Sequence, residues 1–447
     1  MRLKHLIKSL LTAAFSVTAI TAVSAAESAK DITIRTELGQ ASYHTEKGTK
    51  AHIRIDLEGI RHQESERTPI NIAIVIDKSG SMNGNKLEQA KEAAIMAVER
   101  LNEDDYVSII TYSDDVNVLI PSRPVTDYSE FRRKIRAIRT TGRTALYAGT
   151  KRGIDELDHY FDEHRVNRVI LLSDGLANVG PSKPSDLERL GQQAAAKGIS
   201  VTTIGLGLGF NEDLMTKLAY ASDGNHAFVR HERDLVDIFN KEFGDVLSVV
   251  AQDVIIIIEC ANGFRPMRVM GRAAKIEGQK VHLKLNQLYA AQEKNIILEI
   301  ELKEVANAGT TPIADISIDY RSMASKQRTK LQDKANATFT DSKQQAEGSI
   351  NKRVMSSVVE YIATERNEEA VALRDKGKIK EARKVLQGNA SYLENEAKKL
   401  GGTYAPTLNS LAKKNKMDSE NLAEDKWTAS RKAMKARQYK QKTQQSY

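Results

Sequence analysis

Four stretches of mostly apolar residues, at 70–76, 106–112, 168–172 and 200–204, limit what this chain can fold into more than any other feature. A strand with so little polar alternation has to be covered on both faces. The segments 86–101, 144–157, 185–196, 211–221 and 232–247 instead repeat their apolar residues at helical spacing, as Leu87, Ala90, Ala94, Ala97, Val98 and Leu101 do in the first of them. Strands alternating with helices make βαβ units, which predicts a doubly wound, mostly parallel α/β sheet over residues 68–249. Such sheets bind ligands at the carboxyl ends of their strands, so functional groups are expected directly after the apolar runs.

Both flanks of this region have another rhythm. Residues 31–36 and 51–57 alternate apolar and polar side chains, the mark of half-buried strands. Segments 254–259, 281–285, 295–302 and 313–320 are further strands, separated by Gly, Asn and Pro turns. Two leading strands are too few to be stable alone. Residues 26–67 and 250–322 are therefore expected to pair into one antiparallel β-sandwich into which the α/β domain is inserted. Residues 323–447 are polar, poor in glycine and helical in spacing, with a turn near Gly377, and predict a C-terminal α-helical region. From Thr340 onward 22 Lys and Arg stand against 14 Asp and Glu, which equals the +8 of the whole chain. Residues 431–442 alone carry six basic side chains and no acidic one. This tail reads either as a contact with an anionic envelope surface or as a solvated, frayed terminus.

The amino terminus is set apart. Arg2, Lys4 and Lys8 precede an apolar run at 10–23, and Val23-Ser24-Ala25-Ala26 offers small residues for cleavage, so residues 1–25 read as a secretory signal peptide. The run is short and rich in Ala, Ser and Thr for a membrane span, and no later segment is long enough for one, so no transmembrane segment is expected. Cys260 is the sole cysteine, which rules out an internal disulfide and fits a bacterial periplasmic or secreted protein held together by its core. Aromatic residues make up 5% of the chain, which argues against stacking surfaces for nucleic acid.

Three loops follow from the strand ends. Asp77-Lys78-Ser79-Gly80-Ser81 follows the first apolar run and puts a carboxylate and two hydroxyls at alternate positions of a tight loop. Alone it reads equally as a cap for the helix beginning near Lys86. Gly142-Arg143-Thr144-Ala145-Leu146 adds a hydroxyl at another helix start, and Leu171-Leu172-Ser173-Asp174-Gly175 adds a second carboxylate after another core strand. All three lie on one edge of the expected sheet. Hard oxygen donors of this kind suit Mg²⁺, with Mn²⁺ or Ca²⁺ as alternatives.

With these loops in this order, residues 68–247 resemble a von Willebrand factor A domain with a complete metal-ion-dependent adhesion site. The resemblance implies that Asp77, Ser79, Ser81, Thr144 and Asp174 are the metal positions. Ser79 and Ser81 would bind directly, with Asp77, Asp174 and at times Thr144 acting through water. It further implies an open coordination position for an Asp or Glu of a protein partner, and a binding module in place of an enzyme. The order of flanking β segments and helical tail is similar to bacterial A-domain proteins akin to the calcium-activated chloride channel homologues, a likeness that does not imply channel activity, since no membrane span is expected. Lys78, Met82, Asn83 and Arg143 are rim candidates by loop position. Two other functions stay open: an accessory subunit of an envelope assembly machine, and a structural envelope protein attached through its basic tail.

Other signals are weaker. Gly205-Leu206-Gly207-Leu208-Gly209 sits where a dinucleotide loop would, but the third glycine of that fingerprint falls at Phe210. His159, His164, His226 and His231 show no metal-ligand spacing.

Overall fold

The computed structural model describes residues 30–61, 67–304 and 307–445. The expected signal peptide at 1–25 lies outside the described residues. The two alternating segments at the start form β1 (Ile32–Leu38) and β3 (Lys50–Gly59), with a short strand β2 (Ser42–His44), not read from the sequence, between them.

The period changes at Ile70. All eight residues of β4 (Ile70–Asp77) are buried, because alternate side chains enter two separate cores. Ile70, Ile72, Ile74 and Ile76 pack with Leu87, Ala90 and Ala94 of α1 (Asn85–Glu99). Ala73 and Val75 enter the core on the other face. The domain continues through β5 (Tyr106–Tyr112), β6 (Val116–Pro124), α2 (Tyr128–Arg136), α3 (Leu146–Asp158), β7 (Val166–Ser173), α4 (Pro184–Ala196), β8 (Ser200–Leu206), α5 (Glu212–Ala221), β9 (His226–Val229) and α6 (Leu235–Val246). Its sheet has the order β6-β5-β4-β7-β8-β9 and is parallel except for the β5–β6 pair. The carboxyl ends of β4, β5, β7 and β8 therefore share one edge.

The chain then returns to strands: β10 (Val249–Cys260), β11 (Phe264–Val269), β12 (Lys275–Glu277), β13 (Lys280–Tyr289), β14 (Glu293–Leu302), β15 (Gly309–Ser322) and β16 (Arg328–Thr340). One sheet has the order β1-β3-β14-β11 and a second the order β12-β13-β10-β15-β16-β2, with a shared apolar core between them. Ile55 of β3 stands opposite Thr36 of β1 and Ile296 of β14, so leading and trailing strands lie in one sheet and the α/β domain is an insert between them.

One expectation needs correction. Residues 323–447 were expected to be helical throughout, yet β16 occupies 13 of them. Leu331, Ala335, Ala337 and Phe339 do alternate inward, but two of these four core positions hold alanine, a residue depleted in strands, and the outward ones are mostly charged or amide. Pairing with β15 across its length overrides that weak local preference.

The helical region begins with α7 (Lys343–Gly348) and continues as α8 (Lys352–Asp375), α9 (Ile379–Leu400), α10 (Ala405–Glu420) and α11 (Glu424–Thr443). The basic tail is neither frayed nor free. In α11, Arg431 pairs with Glu212, Asp213 and Asp375, Lys432 with Glu212, Lys435 with Asp213, Arg437 with Asp418 and Lys442 with Glu368. Lys432 is buried over the Phe210 ring, and the Tyr439 hydroxyl donates to the Gly224 carbonyl at 2.5 Å. A composition count reports the charge but not these acidic partners, which come from α5 and from α8 and α10. Among the described residues no helix is long and apolar enough to cross a membrane.

Candidate metal centre

At the carboxyl end of β4 the chain must turn from strand to α1 within a few residues. It does so through a short 3₁₀ turn at Gly80–Met82 and Gly84, whose φ of 82° suits a residue without Cβ. The turn folds back on its own carboxylate: the Ser79 N–H donates to Asp77 Oδ1 at 2.8 Å. Asp77 Oδ2 accepts from Ser173 Oγ at 2.8 Å and from the Tyr112 hydroxyl at 3.3 Å. Ser79 Oγ lies 3.1 Å from Ser81 Oγ, and Ser81 Oγ donates to Asp174 Oδ1 at 2.6 Å. Backbone bonds pin the second loop beside the first, from Gly80 N to Gly142 O at 3.0 Å and from Thr141 N to Lys78 O at 2.7 Å.

Thr144 stands just ahead of α3, its N–H donating to Asn178 Oδ1 at 2.8 Å. A Cβ built on Gly175 would lie 2.9 Å from Thr144 Oγ1 and 3.3 Å from Ser81 Oγ, so these hydroxyls converge beside the Asp174 loop. Asp77, Ser79, Thr144 and Asp174 are buried, while Ser81 is exposed. All five positions drawn from the sequence thus meet in one cluster that opens to solvent at Ser81.

The electrostatics of this cluster favour a cation. Burial holds the Asp77 carboxyl above its ordinary range, and the nearby Asp174 pushes the same way, against hydrogen bonds from Ser79 and Ser173. The described residues contain no group of three or more His, Cys, Asp or Glu that could hold a metal. A cation here would depend on the three hydroxyls as much as on the two carboxylates. Carboxylate and hydroxyl oxygens at this spacing fit a hard divalent ion such as Mg²⁺.

The rim expectations divide. Lys78 is half-buried and Asn83 exposed, whereas Met82 is wholly buried in the core under α1 and cannot line a rim. Arg143 is exposed but engaged, with its Nε 2.8 Å from Asp114 Oδ1. The sequence reading missed Lys86, whose Nζ lies 2.5 Å from Asp174 Oδ2, together with Ser173, Tyr112 and Asn178. It also set aside the glycine-rich loop after β8, which is a fourth wall of the site. A Cβ on Gly209 would meet the Asp174 carbonyl at 2.6 Å, so the loop approaches that closely only as glycine. The glycines themselves were the available signal, since they mark a close backbone approach whether or not a dinucleotide is bound.

Comparison with known proteins identifies the domain that carries this cluster. The family model of the von Willebrand factor type A domain matches residues 71–241. The uncharacterized protein sll0103 of Synechocystis is 26% identical over 64% of this chain and 69% of its own length. Inter-alpha-trypsin inhibitor heavy chain H3 of Homo sapiens is 35% identical over 36% of this chain, which spans only 19% of that much longer protein. Among solved structures, a von Willebrand factor type A protein from Catenulispora acidiphila superposes with a TM-score of 0.70 at 16% identity, covering 85% of this chain and 88% of its own, a likeness of fold. Residues 71–241 of this chain are a von Willebrand factor type A domain.

Proposed function

We propose that the domain is an exported binding module that grips a protein partner through a divalent cation, Mg²⁺ first, held by Asp77, Ser79, Ser81, Thr144 and Asp174, and that it does so without catalysing a reaction. The observation that carries this reading is the convergence of two carboxylates and three hydroxyls at one sheet edge, with Ser81 at the open side. A cation bound by few anionic groups keeps enough charge to attract a further carboxylate. A partner's Asp or Glu reaching the mouth would complete its coordination. Domains of this family are in general protein-interaction modules, which supports the same reading. Leu176 and Leu208 are well exposed on the loops after β7 and β8, whose Gly175 and Gly209 approach the cluster, and would offer apolar contact to residues beside that acid.

The signal-like residues 1–25 support a periplasmic or secreted location. The basic tail does not enter the proposal, because five of its six charges are met within the molecule. The test is capture from an envelope extract on immobilised protein, in Mg²⁺ and in chelator, with Asp77→Asn in parallel. Capture that needs both Mg²⁺ and Asp77 is expected. Equal capture in chelator would overturn the reading.

A further inference from the structure

Lys86 occupies the second position of α1, where the positive end of the helix dipole disfavours a cation. Its side chain is nevertheless only 25% exposed, and it turns inward to the oxygen cluster. The ammonium lies 2.5 Å from Asp174 Oδ2 and 3.4 Å from the Ser81 carbonyl oxygen. Asp174 is enclosed, and its other oxygen accepts from Ser81 Oγ at 2.6 Å. The lysine stem runs beside Gly207, where a Cβ would lie 3.6 Å from Lys86 Cε. Thus a tethered positive charge holds the Asp174 carboxylate that the metal reading assigns to the cation, and lies beside the Ser81 backbone, against the local preference of its own helix.

We propose that the Lys86 ammonium is a built-in competitor of the divalent cation. It neutralises Asp174 when no metal is bound, and it leaves Asp174 Oδ2 as the metal enters, because two like charges cannot share an enclosed carboxylate cheaply. This rests on the metal reading above. The affinity of the site is then set by a difference, the attraction of the oxygens for the metal less their attraction for the lysine. Lysine suits the part: its charge sits on a flexible four-carbon stem that can swing to solvent without moving the backbone.

The test is calorimetric titration of the full chain with MgCl₂, using wild type, Lys86→Met, Lys86→Gln and Asp77→Asn, with unfolding measured in chelator. Both Lys86 variants should bind Mg²⁺ about tenfold more tightly than wild type, a factor that corresponds to about 1.4 kcal/mol. In chelator both should unfold at lower denaturant than wild type, since Asp77 and Asp174 then face each other without a counter-charge. Unchanged or weaker Mg²⁺ binding in the two Lys86 variants, with wild type still binding, would overturn the competitor and leave the metal reading standing. Absence of Mg²⁺ binding in wild type and both variants would remove both. Using two uncharged replacements keeps the result readable if either one folds poorly.

Discussion

At the amino-terminal ends of β4, β7 and β8 the sheet buries Asn71, Asn167, Arg168 and Thr202, and at the carboxyl-terminal ends of β4 and β7 it buries Asp77, Ser173 and Asp174. The first group meets opposite or complementary partners fixed by other elements. Asn71 Nδ2 donates to the carbonyls of Leu157 and Tyr160 at 2.9 and 3.2 Å. Arg168 donates to Glu242 Oε1 at 2.6 Å and to the Tyr289 hydroxyl at 2.7 Å, which ties β7 to α6 and to β13 of the sandwich. Asn225 Nδ2 bonds the other Glu242 oxygen at 2.7 Å. The second group instead brings two carboxylates into one cluster, bridged by serine hydroxyls and by a single lysine. Buried polarity does two different things in one sheet: at one end it fixes the insert to its support, and at the other it sets two carboxylates against a single lysine, the imbalance that the proposed cation would answer.

The largest expected effect tests the anchored end. Arg168→Met takes a fully buried ion-pair partner from Glu242, and should cost about 3–5 kcal/mol in urea unfolding. The gain in stability on adding Mg²⁺ should be the same as in wild type, because the two ends share no side chain. A reduced Mg²⁺ gain in this variant would show that the ends are coupled, and the comparison would fail.

Removal of the chain from Ala429 onward comes next, because α11 runs along the edge of the domain between the two ends. Lys432 lies by Phe210 and Glu212 near one end, and Tyr439 lies by Gly224 nearer the other. Uncovering the buried Met434 and Tyr439 contacts should cost roughly 3 kcal/mol. His226 provides a second readout. Burial, with Lys432 adding to it, lowers its imidazole to about 3. The folded chain therefore keeps the ring neutral, so its contribution to stability is complete above the ordinary value near 6.5 and is lost as pH falls toward 3. In the truncated protein this dependence should shrink, as measured by unfolding across that window. Unaltered stability at neutral pH would mean that the tail's ion pairs are incidental.

Asp77→Asn addresses the end proposed to bind the cation. With Mg²⁺ at about 100 times its dissociation constant, wild type should gain roughly 2.7 kcal/mol, and the variant close to none. The amide is the informative replacement. Asp77 is wholly buried and accepts from Ser79, Ser173 and Tyr112, so alanine would also leave buried donors unpaired and lower metal-free stability by about 1–3 kcal/mol. A sequence reading that puts Asp77 out on a loop expects no such cost.

How much of this was legible in the sequence depended on whether the controlling interaction was local. The apolar runs at 70–76 and 168–172 announced covered strands, and Asp77 and Asp174 followed from their positions at the ends of those strands. Thr144 was legible because a hydroxyl at a helix start is a local pattern. Lys86 was not, for its local role is merely that of an exposed residue in the first turn of an amphipathic helix, and only the fold brings Asp174 to it from 88 residues away. The basic run at 431–442 misled for the same reason: its acidic partners Glu212 and Asp213 lie some 220 residues earlier. Met82 looked like rim from loop position, but the 3₁₀ turn rotates it into the core.

Thr144→Ala should give the smallest effect and the finest division of labour at the metal end. It removes one neutral oxygen while the two carboxylates, which supply the charge, remain. The Mg²⁺ gain in stability should therefore fall by about 1 kcal/mol, the scale of one polar contact, leaving most of the wild-type gain. Thr144→Ser keeps the hydroxyl beside Gly175 and should recover most of that loss, whereas Thr144→Val keeps the shape without the oxygen and should not. The comparison with Asp77→Asn is what decides. If Thr144→Ala lost the whole Mg²⁺ gain, the hydroxyls would dominate the site, and a shortage of positive charge would no longer be what sets the carboxyl end apart from the anchored one. If it lost none, Thr144 would be a wall of the cluster and the cation would rest on Asp77, Ser79, Ser81 and Asp174 alone.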